Sequence, residues 1–400
     1  MGQMNPLKYK RAPKEDGVMK ISDCTLRDYV GSAFINTAAL DCSMLADLLD
    51  QLDLDELEIG DPFSYESDAL LLSRLKLRAP IATFYGPKNL STIRADLEKI
   101  KALGVDGVVV SIPASDKFAQ IKLPSAAWQY RFDLISTTLE LAAEVGLYVV
   151  ATGEDSPSAD INYLREYLAI VHSGGAQKFR YAESVSRSLP VQTFSRIKGL
   201  LEAVPGAQIE MHCHDMFGLA LANGIAGAEA GATWISGTFL GVGERGGNIN
   251  TLDALAVAKF LFGDSDRDLS NISAISEKVA SDLGITFPSF QRVIGRHSFS
   301  FEQLGPLNNQ SAYLPFDPGD VGQNVSVVLS GKHSLGTLAY IASQAGLQHD
   351  ELALQAADVS LRQTLSDTGK VVDQETAEAV IRAMLDEPKR SNHISQLKAV

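Results

Sequence analysis

Two imidazoles one residue apart, His212 and His214, stand in the run Glu210-Met211-His212-Cys213-His214-Asp215. Gln208-Ile209-Glu210-Met211 reads as a strand and the run from Phe217 through Ala232 as the following helix, so the pair falls at a strand's carboxyl end. Side chains alternate along a strand with period two, which points both histidines the same way and lets them chelate one divalent ion. Alone, a His-x-His is more often two ordinary core or surface histidines. A second motif strengthens the metal reading. A strand-like start, Val18-Met19-Lys20-Ile21, leads into Ser22-Asp23-Cys24-Thr25-Leu26-Arg27-Asp28. An oxygen from Asp28 with two imidazoles makes a mixed nitrogen and oxygen site that keeps positions open for substrate and water. Arg27, always charged, is suited to neutralise an oxygen that becomes negative during reaction; its plainer reading is a salt-bridged strand end.

These motifs need elements to place them. Between Val18 and Gly263 a short apolar strand and an amphipathic helix recur about every 25 to 30 residues, the pattern of βα units. The strand candidates are Met19–Ser22, Glu56–Gly60, Ile81–Tyr85, Gly107–Ile112, Leu147–Thr152, Phe179–Ala182, Gln208–Cys213 and Thr233–Thr238. Helical patterns follow, among them Ser91–Leu103, Tyr130–Val145 and Pro190–Ala203, with Gly104, Gly146, Gly174 and Gly206 as stop signals. Eight units fit an α/β fold of the TIM (β/α)8 barrel type, about 250 residues long, whose active site is built from loops at the carboxyl ends of the strands. Arg27-Asp28 and His-x-His both fall there, on strands one and seven; a doubly wound open sheet is the alternative. Other polar residues gather at the same end: Glu58 and Asp61, Ser111, Glu154-Asp155, Glu183-Ser184 and Gly243-Glu244-Arg245-Gly246-Gly247-Asn248. Singly each is an ordinary turn or cap residue, but jointly they outline a substrate site in which Asp61, Ser184, Glu244 and Arg245 are candidates.

Composition narrows the classes. With 400 residues, 45% hydrophobic and 21% charged, the chain has a globular balance, and a formal net charge of -14 argues against nucleic acid as the main partner. The three cysteines, Cys24, Cys42 and Cys213, form no paired framework, which suits a reducing cytoplasm. No apolar run reaches spanning length, so no membrane association is expected, and residues 1–17 read as a polar, flexible tail, neither signal peptide nor anchor.

The ordered elements Asp23-Cys24-Thr25-Leu26-Arg27-Asp28, His212-Cys213-His214, Gly218-Leu219-Ala220-Leu221-Ala222-Asn223 and Gly243-Glu244-Arg245-Gly246-Gly247-Asn248 resemble the signatures of the DRE-TIM metallolyases. The last is similar to the Claisen-condensing branch of homocitrate, isopropylmalate and citramalate synthases. The lyase branch, typified by hydroxymethylglutaryl-CoA lyase, usually has a cysteine in that glycine loop. The resemblance implies a divalent ion (Mg, Mn, Zn or Co) held by Asp28, His212 and His214 with Asn248 nearby, and condensation of acetyl-CoA with a 2-oxo acid to a 2-hydroxy diacid and CoA. Arg27 would stabilise the alkoxide, and Glu154, with Glu210 second, would serve in acid-base work; either carboxylate also reads as an orienting group. The alternatives are a metal-dependent retro-aldol or retro-Claisen lyase and a noncatalytic metal-binding barrel.

The chain departs from the family pattern where substrate is expected. Glu154-Asp155-Ser156-Pro157-Ser158 lacks the family's arginine, Glu183-Ser184 replaces Asp-Thr, Asp215-Met216 replaces Asn-Asp, and Asp61 is an added acid. A long dicarboxylate then lacks its usual cation unless Arg180, Arg187 or Lys88 supplies one, so a smaller or differently substituted 2-oxo acid is expected. Residues 264–400 read as a mainly helical subdomain with candidate helices Leu269–Leu283, His333–Ala345, His349–Leu365 and Gln374–Leu385. It reads as too short to enclose a large core of its own, which favours packing against another copy as a homodimer; the resemblance to the synthases implies in addition that it acts as an active-site lid. The family's subdomain histidine is missing; Glu302 or Pro306 falls at its place by counting, and His297 is a substitute. The chain also ends too early for the family's regulatory domain.

Overall fold

The structure, a computed structural model, describes residues 18–28 and 41–386. The expected tail, residues 1–17, lies outside the described residues. The described residues divide into two compact units, one running to residue 269 and taking in 275–286, the other made of 270–274 and the described residues from 287 on.

The first unit is the expected barrel. Eight parallel strands, β1 (Lys20–Asp23), β2 (Glu56–Glu58), β3 (Ile81–Tyr85), β4 (Gly107–Pro113), β5 (Tyr148–Glu154), β6 (Lys178–Glu183), β7 (Ile209–Cys213) and β8 (Trp234–Gly237), close in sequence order. The closure is the β1–β8 pair, in register from Lys20 opposite Trp234 to Asp23 opposite Gly237. Between strands run helices such as Ile93–Ala102, Trp128–Val145 and Pro190–Ala203, the last begun by a proline whose missing N–H is not needed in a first turn. Ile209, Met211 and Cys213 face outward by alternation and are buried under these helices, while Glu210 and His212 face the lumen.

The lumen is unusual in its charge. Beside an apolar patch of Ala82, Val109 and Val150 with Tyr148 packed on it, Lys178 of β6 reaches across to Glu56 of β2 at 2.9 Å. The same ammonium lies 2.9 Å from Glu210 of β7 and sits over the Trp234 ring. Arg180, two residues on, pairs with Glu210 at 2.6 Å and with Glu58. All five are at most 1% exposed. Buried charges persist only when paired and hydrogen-bonded, so this lattice fixes the side chains beneath the site more than it adds stability.

The second unit is mainly helical, as expected, and adds a small three-stranded sheet in the order β11–β10–β9, formed by β9 (Ser300–Phe301), β10 (Ser326–Leu329) and β11 (Val372–Asp373). It also encloses its own core, in which Leu307, Val327, Leu329, Leu338, Ile341, Leu354, Leu361 and Ile381 are buried together under the helices Leu335–Gln344, Glu351–Thr368 and Gln374–Asp386. The argument for a dimer from an unclosed core therefore falls away. Glu302 is a structural group here: it accepts from the Ser330, Gly331 and Lys332 backbone N–H groups and faces His333 at 3.4 Å. His297 is half-buried and its Nδ1 has no partner.

Candidate active site

The sequence Thr25-Leu26-Arg27-Asp28 forms one helical turn directly after β1, with Asp23 accepting from the Thr25 N–H at 2.9 Å and from the Thr251 hydroxyl. Burial pushes the Asp23 carboxyl up to about 6. The turn lifts Arg27 and Asp28 over the mouth of the barrel. His212 and His214 rise beside them from β7, their rings 5.4 Å apart and nearly perpendicular. Asp28, His212 and His214 are all buried, at 5%, 4% and 3% exposure.

His212 Nδ1 lies 3.1 Å from the Ser236 hydroxyl, and its Nε2 faces Asp28 Oδ2 at 3.4 Å. Burial first, then Arg180 and Arg27, holds His212 well below its ordinary range. His214 is pushed down to about 3 by burial and by Arg245, whose guanidinium lies 2.9 Å from His214 Nε2. Both imidazoles are neutral, the form that offers a lone pair to a metal. Asn248 donates to Asp28 Oδ2 at 2.6 Å, and its own Oδ1, buried, has no partner. Two imidazoles, a carboxylate and an unpartnered amide oxygen are donor types that a hard to borderline divalent ion takes. Cys24, Asp28 and His212 bring ligand atoms within 4.8 Å of one another; His214 stands outside that group, its Nε2 held by Arg245. The Cys24 thiol donates to the Gly237 carbonyl at 3.2 Å and burial pushes it up to about 12, so it serves as a neutral neighbour.

The loop of residues 243–248 is shaped by its glycines. A Cβ on Gly243 would overlap Asn248 Oδ1, and Gly247, at φ 103, would overlap the Gly241 carbonyl. Only glycine lets the loop press Asn248 against Asp28.

A cavity of about 440 Å³ opens over this cluster. Of the residues expected from sequence, it is lined by Arg27, Asp28, Asp61, Ser111, Glu154, Ser184, His212, His214, Glu244 and Arg245. Arg27 is anchored by Glu58 at 2.8 Å and by Asp28, and its guanidinium lies 5.8 Å from the Phe84 ring centre. Glu154 projects from the end of β5 and pairs with Lys122. Glu244 and Arg245 pair with each other at 3.0 Å.

Other expected residues have different work. Glu210 does not line the cavity; it lies in the lumen with Arg180, Lys178 and Ser22. Burial alone would raise its pKa, but Arg180 and Lys178 bring it down to about 2, which makes it a poor proton acceptor and corrects its reading as a second base. The Asp61 carboxylate is occupied by the Phe63 and Ser64 N–H groups and the Ser64 hydroxyl, so it caps a turn at the cavity wall. Ser184 Oγ accepts from the Asp155 N–H at 3.0 Å, steadying the β5 loop. Glu183 points away, to Ser188 and Asn223.

Sequence reasoning passed over Lys122, Thr152 and Phe118 on the cavity wall. The sequence does carry a signal for the paired lumen: Glu56-x-Glu58 and Lys178-x-Arg180 both place charges at period two on buried strands.

Residues 18–279 match the HMGL-like family model. The chain belongs to the HMGL-like family, within the DRE-TIM superfamily. It is similar to 2-isopropylmalate synthase 2 of Caldanaerobacter subterraneus, 32% identical over 336 residues that cover 82% of this chain and 85% of that one. It is also similar to homocitrate synthase 1 of Nostoc sp., 30% identical over 329 residues, 80% and 85% of the two chains. Among solved structures, the HMG-CoA lyase of Bacillus subtilis superposes with a TM-score of 0.60 at 17% identity over 68% of this chain and 95% of that one, a likeness of fold. Among the described residues no helix is long and apolar enough to cross a membrane.

Proposed function

We propose that this chain is a metal-dependent acyltransferase that condenses acetyl-CoA with a 2-oxo acid, giving a 2-hydroxy diacid and CoA. The observation that supports it most is the gathering of Arg27, Asp28, Glu154, His212 and His214 around one cavity at the carboxyl ends of β1, β5 and β7. Asp28, His212 and His214 would hold the divalent ion, with Asn248 steadying Asp28, and when bound it supplies the polarisation of the oxo acid's carbonyl. Glu154 is the carboxylate that takes a proton from the acetyl methyl group. The carbanion attacks the oxo carbon, and Arg27, fixed by Glu58, faces the oxygen that becomes an alkoxide. Water then cleaves the thioester, releasing the CoA thiol and a second carboxylate. Lys122 holds Glu154 at the cavity wall. The loop of residues 243–248 contains no cysteine, which favours condensation over lyase chemistry.

Two further readings go with this. Three free cysteines, two of them buried, suit a cytoplasmic protein. A homodimer is proposed on the resemblance to the synthases alone.

The test is thiol release from acetyl-CoA by metal-loaded protein across pyruvate, 2-oxoisovalerate, oxaloacetate and 2-oxoglutarate. Release that depends on one oxo acid supports the reading; release from none of them, with metal bound, overturns it.

A further inference from the structure

The floor of the cavity carries donors that the proposed chemistry leaves unused. Ser111 on β4, Thr152 on β5 and Arg180 on β6 are register partners in successive strand pairs, so they stand level with one another, and alternation turns them all into the lumen. All three line the cavity that holds His212 and Arg27. The Arg180 guanidinium, 1% exposed, gives Nε to Glu210 and Nη1 to Glu58, while Nη2 makes no hydrogen bond. A planar fork clamped through two nitrogens cannot swing the third elsewhere. Next to it Thr152 Oγ1, on a residue 6% exposed, also has no partner. Buried donors of this kind are costly unless an acceptor reaches them, and these two stand on neighbouring register positions of adjacent strands.

The other cations expected from sequence stand elsewhere. Arg187 lines a separate cavity with Asp116 and Asp160, and Lys88 a neighbouring one with Tyr85 and Asn89. Around the floor, Arg27, Lys178 and Arg180 are met by four carboxylates, Asp28, Glu56, Glu58 and Glu210. Arg180 therefore offers directed N–H groups more than an unbalanced charge.

We propose that Arg180 and Thr152 form a substrate-selecting subsite that takes an acceptor oxygen carried on the side chain of the 2-oxo acid, either a hydroxyl or a carboxylate. The inference rests on the condensing reading above and names the substrate class for it.

Calorimetric titration of metal-loaded protein with oxo acids, without acetyl-CoA, separates binding from condensation. The panel is pyruvate and 2-oxobutyrate as plain acids, 4-hydroxy-2-oxobutyrate as the hydroxyl arm, and oxaloacetate and 2-oxoglutarate as the carboxylate arm. One oxygen-bearing arm should bind about tenfold or more tighter than the plain acids, and the winning arm identifies the oxygen's source. That ratio should fall to within about twofold in Arg180→Lys, which keeps the charge beside Glu58 and Glu210 without Nη2, and in Thr152→Val, which keeps the shape without the hydroxyl. Equal binding across the panel, or a ratio that survives both variants, overturns the subsite and leaves the condensing reading standing. Binding of no oxo acid overturns both.

Discussion

Asn248 donates a 2.6 Å hydrogen bond to Asp28 across 220 residues of sequence, tying the loop after the last barrel strand to the turn after the first. The bond lies where the barrel closes, so the fit of β1 against β8 and the placing of a ligand carboxylate are one event. It also occupies one Asp28 oxygen from the side, while His212 approaches the same oxygen at 3.4 Å.

If Asp28, His212 and His214 hold the ion, His212→Ala and His214→Ala should each lose most bound metal and nearly all turnover, because a three-ligand site tolerates no missing ligand well. Cys24→Ser, whose thiol is engaged with the Gly237 carbonyl, should keep its metal. Metal content by elemental analysis and turnover on the same samples check this; a metal-free His212→Ala protein with full activity would contradict it.

Arg27→Lys keeps a positive charge but loses the planar fork that Glu58 and Asp28 orient. Turnover should fall about a hundredfold or more with metal content unchanged. Steady-state kinetics beside metal analysis separates this from simple loss of the ion.

The two carboxylates that the sequence offers as candidate bases, Glu154 and Glu210, should behave differently. Glu154→Gln should lower turnover about a hundredfold or more while the protein melts as before, since the carboxylate lies at the cavity wall. Glu210→Gln leaves Arg180 and Lys178 short of a buried counter-charge and should cost about 3 kcal/mol or more of stability. Denaturant midpoints and kinetics on both variants decide; a stable Glu210→Gln enzyme with no turnover would restore Glu210 as the base.

The barrel and its upper rim are legible in the sequence because both depend on local pattern. Eight apolar runs with helical spacers mark the strands, and period two aligns His212 with His214. The lumen is less legible because its partners are joined only by closure: Lys178 and Glu56 are 122 residues apart. Glu210 looked catalytic by adjacency to His212, yet alternation places it one layer lower, where Arg180 claims it. The sheet of the second unit escaped because β9 and β11 are two residues each, too short to show alternation.

The proposed dimer is checked by light scattering. A species of about twice the 43.0 kDa chain at micromolar concentration is expected. A compact monomer would contradict it, and the second unit's own core makes that outcome structurally self-consistent.

Acetyl-CoA labelled with heavy carbon in its methyl group tests the central claim most directly. With metal-loaded protein and the oxo acid that supports thiol release, mass spectrometry should find the label in the 2-hydroxy acid formed from that oxo acid, one molecule per CoA thiol released. Labelled free acetate, with the oxo acid unconsumed, would show thioester hydrolysis without carbon–carbon bond formation and contradict the account.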